Sequence, residues 1–227
     1  MKPFPQTAVG IALCLGMMAP AKGLAGVIRG HIELPPAAAA SRVREPYAGR
    51  TSALASPSVP TRGLPKDAVV YVETLPADVD ARIAPAADHP KLAQQNQAFA
   101  PRVIAVSVGS SVDFPNLDPI YHSVFSVSPT KRFDLGRYGR GHSKRVVFTK
   151  PGLVNVYCDI HSNMEGFVLV VPNHAFARPD DEGRFALPDL PPGRYTVVVW
   201  HPDAGTVRRE VTVPEEGDAD VALRLAP

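Results

Sequence analysis

The chain has 227 residues, 45% of them hydrophobic and 20% charged, so it is long enough for one large or two small β domains and can bury a core without disulfide staples. Its 25 prolines against 17 glycines work against long helices and favour an all-β fold. The 24 basic and 22 acidic residues leave +2 with no single-sign block dominating, which gives no compositional case for a nucleic-acid binder.

Lys2, an apolar stretch from Ala8 to Met18 and the small residues ending at Ala25 read as a Sec-type signal peptide over 1–25, cleaved after Ala25 or, alternatively, Ala21. The apolar run is too short to span a bilayer, and no transmembrane segment is expected once it is removed. Removal takes Lys2, Lys22 and Cys14 and no acid, leaving 22 charges of each sign and a single cysteine, Cys158, in an exported and therefore periplasmic protein.

Residues 26–88 divide into two strands and a linker. From Gly26 to Leu34, apolar Ile28, Ile32 and Leu34 alternate with Arg29, His31 and Glu33, the period of a half-buried strand. Residues 35–66 are rich in Pro, Ala, Ser and Arg and carry too little apolar surface to offset their ordering entropy, so they read as a loop. Ala68–Glu73 is a second strand, followed by a proline-bearing connection. Between Val103 and Val171 the runs VIAVSV, VDF, SVFSV, RVVF, LVNVYC and FVLVV are separated by turn signals, the pattern of a β-sandwich or barrel. RFAL, RYTVVVW, TVRREVTV and DVALRL continue it to the C-terminus; no segment reads as a helix.

The chemistry concentrates in Tyr157–Gly166, YCDIHSNMEG, where Cys158, His161 and Met164 are spaced three and three between two strands. Upstream, His122 stands in DPIYHSV at another loop-to-strand junction. One thiolate, two imidazoles and a thioether form the ligand set of blue copper, since soft sulfur suits Cu(I) and imidazole tolerates Cu(II). Zinc fits less well, because a thioether is a poor zinc ligand. His31, His89, His142, His174 and His201 are scattered and read as ordinary strand or loop residues.

On these residues, 91–172 resembles a cupredoxin of the plastocyanin and azurin superfamily, with a C-x-x-H-x-x-M loop similar to that of amicyanin; the stretch QNQAFAPRVIAVSVGSSVDFPNLD resembles the family's opening strands. The resemblance implies a Greek-key β-sandwich, one mononuclear type 1 copper centre, and metal ligands His122, Cys158, His161 and axial Met164. Ser123 follows the first histidine where the family often has Asn, which bears on tuning more than on binding. No H-x-H pair for further coppers and no hydrolase motif is present. The expected function is therefore single-electron transport between redox proteins, such as a c-type cytochrome or a dehydrogenase, and not enzymatic turnover. The competing readings are a non-redox binding or scaffolding protein and a copper delivery or storage protein. By the same resemblance His161 is the surface exit for electrons, and the basic stretch from Lys131 to Lys150, with Asp134 its single acid, would steer an acidic partner.

Residues 173–227 resemble part of a carboxypeptidase regulatory-like or transthyretin-like β-sandwich. Two arrangements are open: one discontinuous second sandwich that takes in 26–34 and 68–73, with the cupredoxin inserted, or a separate C-terminal unit with an N-terminal arm.

Overall fold

A computed structural model of the protein describes residues 26–35, 63–83 and 89–225. The expected signal segment 1–25 and positions 36–62 of the expected loop lie outside the described residues. Nearly all the regular structure of the described residues is strand, as the composition predicts. Positions 65–67 form a 3-10 turn, and Ala77–Asp80 add a one-turn helix (α1) where only a connection is expected.

Two strands precede position 90, β1 (Ile28–Glu33) and β2 (Val69–Val72). Nine follow: β3 (Ala93–Gln95), β4 (Ala98–Ala100), β5 (Val103–Ser107), β6 (Ser111–Pro115), β7 (His122–Val127), β8 (Arg132–Tyr138), β9 (Ser143–Val147), β10 (Gly152–Cys158) and β11 (Glu165–Val171). The last five are β12 (Phe176–Ala177), β13 (Arg184–Ala186), β14 (Gly193–His201), β15 (Gly205–Val213) and β16 (Ala219–Arg224).

Strands β3 to β11 make a central sandwich. One sheet runs β5-β11-β10-β7-β8; β6 pairs with β9, β3 with β4, and parallel bridges at Lys91–Asp113 and Gln94–Asn116 lay the hairpin beside β6. Ile104, Val112, Phe114, Val124, Val156 and Val168 fill the space between the layers. The flanking sandwich joins the two ends of the chain. β1 pairs antiparallel with β13 and parallel with β16, while β2 lies between β12 and β14, with β15 at the edge. The N-terminal strands 28–33 and 69–72 thus sit in sheets completed by residues after 175. Gly30 is required in β1: a Cβ there would stand 2.1 Å from the Val221 carbonyl oxygen.

The continuous apolar runs of β11, β2 and β14 have one cause, which is that both of their faces are covered. In β11, Val168 and Val170 enter the central core, while Phe167, Leu169 and Val171 face the other way. They meet Val69 and Tyr71 of β2 and Trp200 of β14, whose Val70, Val72, Val197 and Val199 belong to the flanking core. The two sandwiches therefore stack sheet on sheet, and Phe167 meets Trp200 edge-on at 5.8 Å between centroids.

Beside this apolar seam lies a buried ion cluster. Arg102 holds Asp203 with two hydrogen bonds of 2.7 and 3.1 Å and stands 3.6 Å from Asp67 Oδ2. Burial opposes the charge of Asp203, but Arg102 outweighs it and holds the carboxyl below the usual range. Its stabilisation is present above the unfolded pKa of about 3.9 and is lost as pH falls through the lower folded value. Asp67 behaves oppositely: burial pushes its carboxyl up despite Arg102, and Oδ2 has no hydrogen-bond partner, so ionising it as pH rises costs stability. Chemical denaturation at pH 7 should accordingly find Asp203→Asn destabilised by about 3 kcal/mol, since it strips a buried cation of its main partner. Asp67→Asn should stay within about 1 kcal/mol of the parent. Equal losses would contradict this division.

Candidate metal centre

Three elements bring the donors together. β7 opens on His122 and β10 closes on Cys158; they pair with Cys158 opposite Val124 and Tyr157 opposite Phe125. The chain then turns through 159–164 into β11, carrying His161 and Met164. Asp159 N–H donates to the Ser123 carbonyl at 2.9 Å, and Met164 N–H to the His161 carbonyl at 3.1 Å, so the turn is tied to β7 and closed on itself.

The sulfur of Cys158 lies 3.7 Å from His122 Nδ1 and 3.6 Å from His161 Nδ1, and the two Nδ1 atoms are 3.1 Å apart. With bond lengths of about 2.0 Å to imidazole and 2.3 Å to thiolate, three donors spread evenly in a plane around one ion would be separated by about 3.5 Å (N to N) and about 3.7 Å (N to S). The two nitrogen–sulfur sides already match, and the nitrogen–nitrogen side is about 0.4 Å short, so the donors fit a single first-row transition-metal ion with little movement. Among the described residues this is the group of three His, Cys or acidic side chains close enough to share a metal. Met164 is buried at 1% exposure and packs in the apolar cluster that includes Cys158.

Burial differs sharply among these side chains. His122 is fully buried and Cys158, a free thiol, nearly so, while His161 is partly exposed. Desolvation and the neighbouring His122 ring hold His161 below the ordinary imidazole range against the pull of Asp118, which favours the neutral, ligating form.

Sequence reasoning passes over Asp118, yet it orients the site. Its Oδ2 lies 2.9 Å from His122 Nε2 and accepts that N–H, which leaves the Nδ1 lone pair aimed at Cys158 and His161. Asp118 is itself held by the β3–β4 turn, whose Asn96 and Gln97 N–H groups donate to its two oxygens at 2.6 and 2.9 Å. Both turn residues have positive φ, 56° and 55°, which directs two successive N–H groups to one side. Burial opposes the Asp118 charge, but these donors and the His122 ring prevail and lower its pKa. Asn116, fully buried, accepts from Asp118 N–H and donates to the carbonyls of Ile120 and Tyr138, fixing the loop that delivers His122. The available signal was the spacing D-x-x-x-H.

Of the other described histidines, His89 bonds with Ser111, His174 with Asp80, and His201 with the Leu64 carbonyl.

No protein-family model matches the chain, and no curated protein is significantly similar to it in sequence. Several solved structures are similar in chain course. A Cu-containing nitrite reductase (NirK) from Thermus scotoductus SA-01 is 25% identical over 42% of this chain at a TM-score of 0.35, and the match spans only 27% of that protein. A purple cupredoxin from Nitrosopumilus maritimus is 22% identical over 36% of this chain and 98% of its own, with a TM-score of 0.33. A reduced mutant of amicyanin is 20% identical over 46% of this chain and 98% of its own, with a TM-score of 0.35.

If Asp118 fixes the His122 tautomer, Asp118→Ala should weaken metal binding by about 10- to 100-fold in a competition titration against a chelator. Asp118→Asn, whose carbonyl can still accept from Nε2, should lose less. Unchanged affinity in both variants would remove Asp118 from the site.

Proposed function

We propose that His122 Nδ1, His161 Nδ1 and Cys158 Sγ would hold one copper ion, with Met164 as a fourth and weaker ligand, and that the protein carries single electrons between redox proteins. The observation that carries the reading is the assembled donor triangle around a buried, unpaired thiol. A copper ion there would supply a one-electron couple, both of whose oxidation states accept thiolate and imidazole ligands.

The chain's own residues supply the rest. His122, locked by Asp118, and Cys158, held at the end of β10, form the rigid and dry side of the site. His161, on the turn, is the donor that reaches toward solvent. Apolar side chains are exposed on the two loops that carry the ligands: Leu117 (46%), Ile120 (36%) and Tyr121 (60%) before His122, and Ile160 (40%) before His161. Such a surface suits brief docking of another protein against His161. Arg137 lies over the Tyr121 ring at 5.9 Å, bringing positive charge to its rim, whereas Arg145 is paired with Asp113. This arrangement supports steering of an acidic partner.

Residues 91–172 are read as a cupredoxin unit, and 26–34, 68–73 and 173–227 as a regulatory-like sandwich interrupted by it. The N-terminal apolar pattern supports export to the periplasm. Among the described residues no helix is long and apolar enough to cross a membrane.

Addition of Cu(II) should produce an intense visible thiolate-to-copper band at one equivalent, abolished in Cys158→Ser and kept in Met164→Leu with a raised midpoint potential. Copper retained through reduction and reoxidation supports the carrier; copper surrendered to a weak chelator on reduction would point to delivery. A colourless protein would overturn the reading.

A further inference from the structure

The buried cluster around Arg102 reaches the ligand turn as well as the seam between the sandwiches. Its guanidinium, 8% exposed, binds Asp203 in the β14–β15 turn with both nitrogens, stands 3.6 Å from Asp67 before β2, and lies 3.8 Å from Glu165 Oε2. Asp67 and Asp203 belong to the flanking sandwich, whereas Glu165 opens β11 directly after Met164. The Arg102 backbone reaches the same strand, its carbonyl accepting from Phe167 N–H at 2.8 Å while its guanidinium lies 5.1 Å from the Phe167 ring centroid. On the other side of the strand, Gly166 is packed so closely that a Cβ would stand 2.9 Å from Phe99. The residues just past the ligand turn are thus clamped between Phe99 and Arg102.

The acids around Arg102 are also braced. Gly63 N–H donates to Asp203 Oδ2, and Asp203 N–H donates to His201 Nδ1, whose ring donates from Nε2 to the Leu64 carbonyl. Segment 63–67, the β14–β15 turn and the start of β11 therefore converge on one guanidinium. Without it three carboxylates are left in a poorly hydrated space, Glu165 being the most exposed of them.

We propose that Arg102 is a positioning residue through which the flanking sandwich sets the conformation of the 159–164 turn, and with it the placement of His161 and Met164. The flanking sandwich is then part of the metal site's support and not only an attached module. The spectroscopic arm of the test rests on the copper reading; the exchange arm does not.

Amide hydrogen exchange on the metal-free full chain tests the coupling. Glu165→Gln, which keeps the Arg102–Asp203 pair, should speed exchange of residues 159–164 by about fivefold or more with the amides of Val168 and Val170 unchanged. Asp203→Asn, on the flanking sandwich, should speed the turn at least as much alongside the general acceleration that its lower global stability brings. Arg102→Met should do the same, and Arg102→Lys should recover part of the protection. In copper-loaded protein, Asp203→Asn should shift the midpoint potential although Asp203 belongs to the other sandwich. Turn exchange equal to wild type in all variants, or in Glu165→Gln an acceleration spread evenly through Val168 and Val170, would overturn the proposal. A wild type that takes up no copper would remove the metal reading and leave the exchange result to decide the coupling.

Discussion

The hydrogen bond between Asp118 and His122 is the constraint on which the donor triangle rests. A fully buried imidazole has two nitrogens to satisfy, and either could face Cys158. Asp118 settles the choice by accepting from Nε2, and it keeps its negative charge in a poorly hydrated place because the Asn96–Gln97 turn donates two N–H groups to it. Hydrogen bonds to a charged acceptor contribute about 1.5–3 kcal/mol each, enough to hold one ring orientation. The short β3–β4 hairpin buries Gln94 and Phe99 and also acts as a holder for Asp118, and Asn116 sets the loop between the hairpin and the ligand.

The other half of the site hangs from β11. This strand lies between two cores, with Val168 and Val170 on one side and Phe167, Leu169 and Val171 on the other, so its register cannot slip without exposing one set or the other. The turn carrying His161 and Met164 begins at Cys158, which is paired to β7, and ends at this doubly buried strand. Its ends are rigid while its middle is exposed. A copper carrier needs this combination, with ligands that scarcely move between oxidation states and one edge open to a partner.

Much of this was legible in the sequence because it depends on local pattern. Period-two alternation marks β1, continuous apolar runs mark β11 and β14, and Cys158, His161 and Met164 are separated by intervals that a single turn can close. Other elements left no such signal. β8 carries Phe133 and Leu135 between charged residues on a sheet edge, where partial burial suffices and no apolar run forms. β3 and β4 are three-residue strands of Ala, Gln and Phe that exist because of the turn between them and their pairing beside β6. Asp118 and Arg102 were missed for a deeper reason: the donors that hold the Asp118 charge lie 21 and 22 positions away and the main partner of Arg102 lies 101 away, and a lone acid or arginine in a loop looks like any solvated charge.

The fold itself brings the three donors together, with no metal needed to assemble them. Paired crystal structures of the metal-free and copper-loaded protein test this directly. The account predicts that His122 Nδ1, His161 Nδ1 and Cys158 Sγ surround the ion after moving by no more than about 0.5 Å, with His122 Nε2 still on Asp118. A His122 ring turned so that Nε2 faces the metal, or copper held away from Cys158, would contradict it.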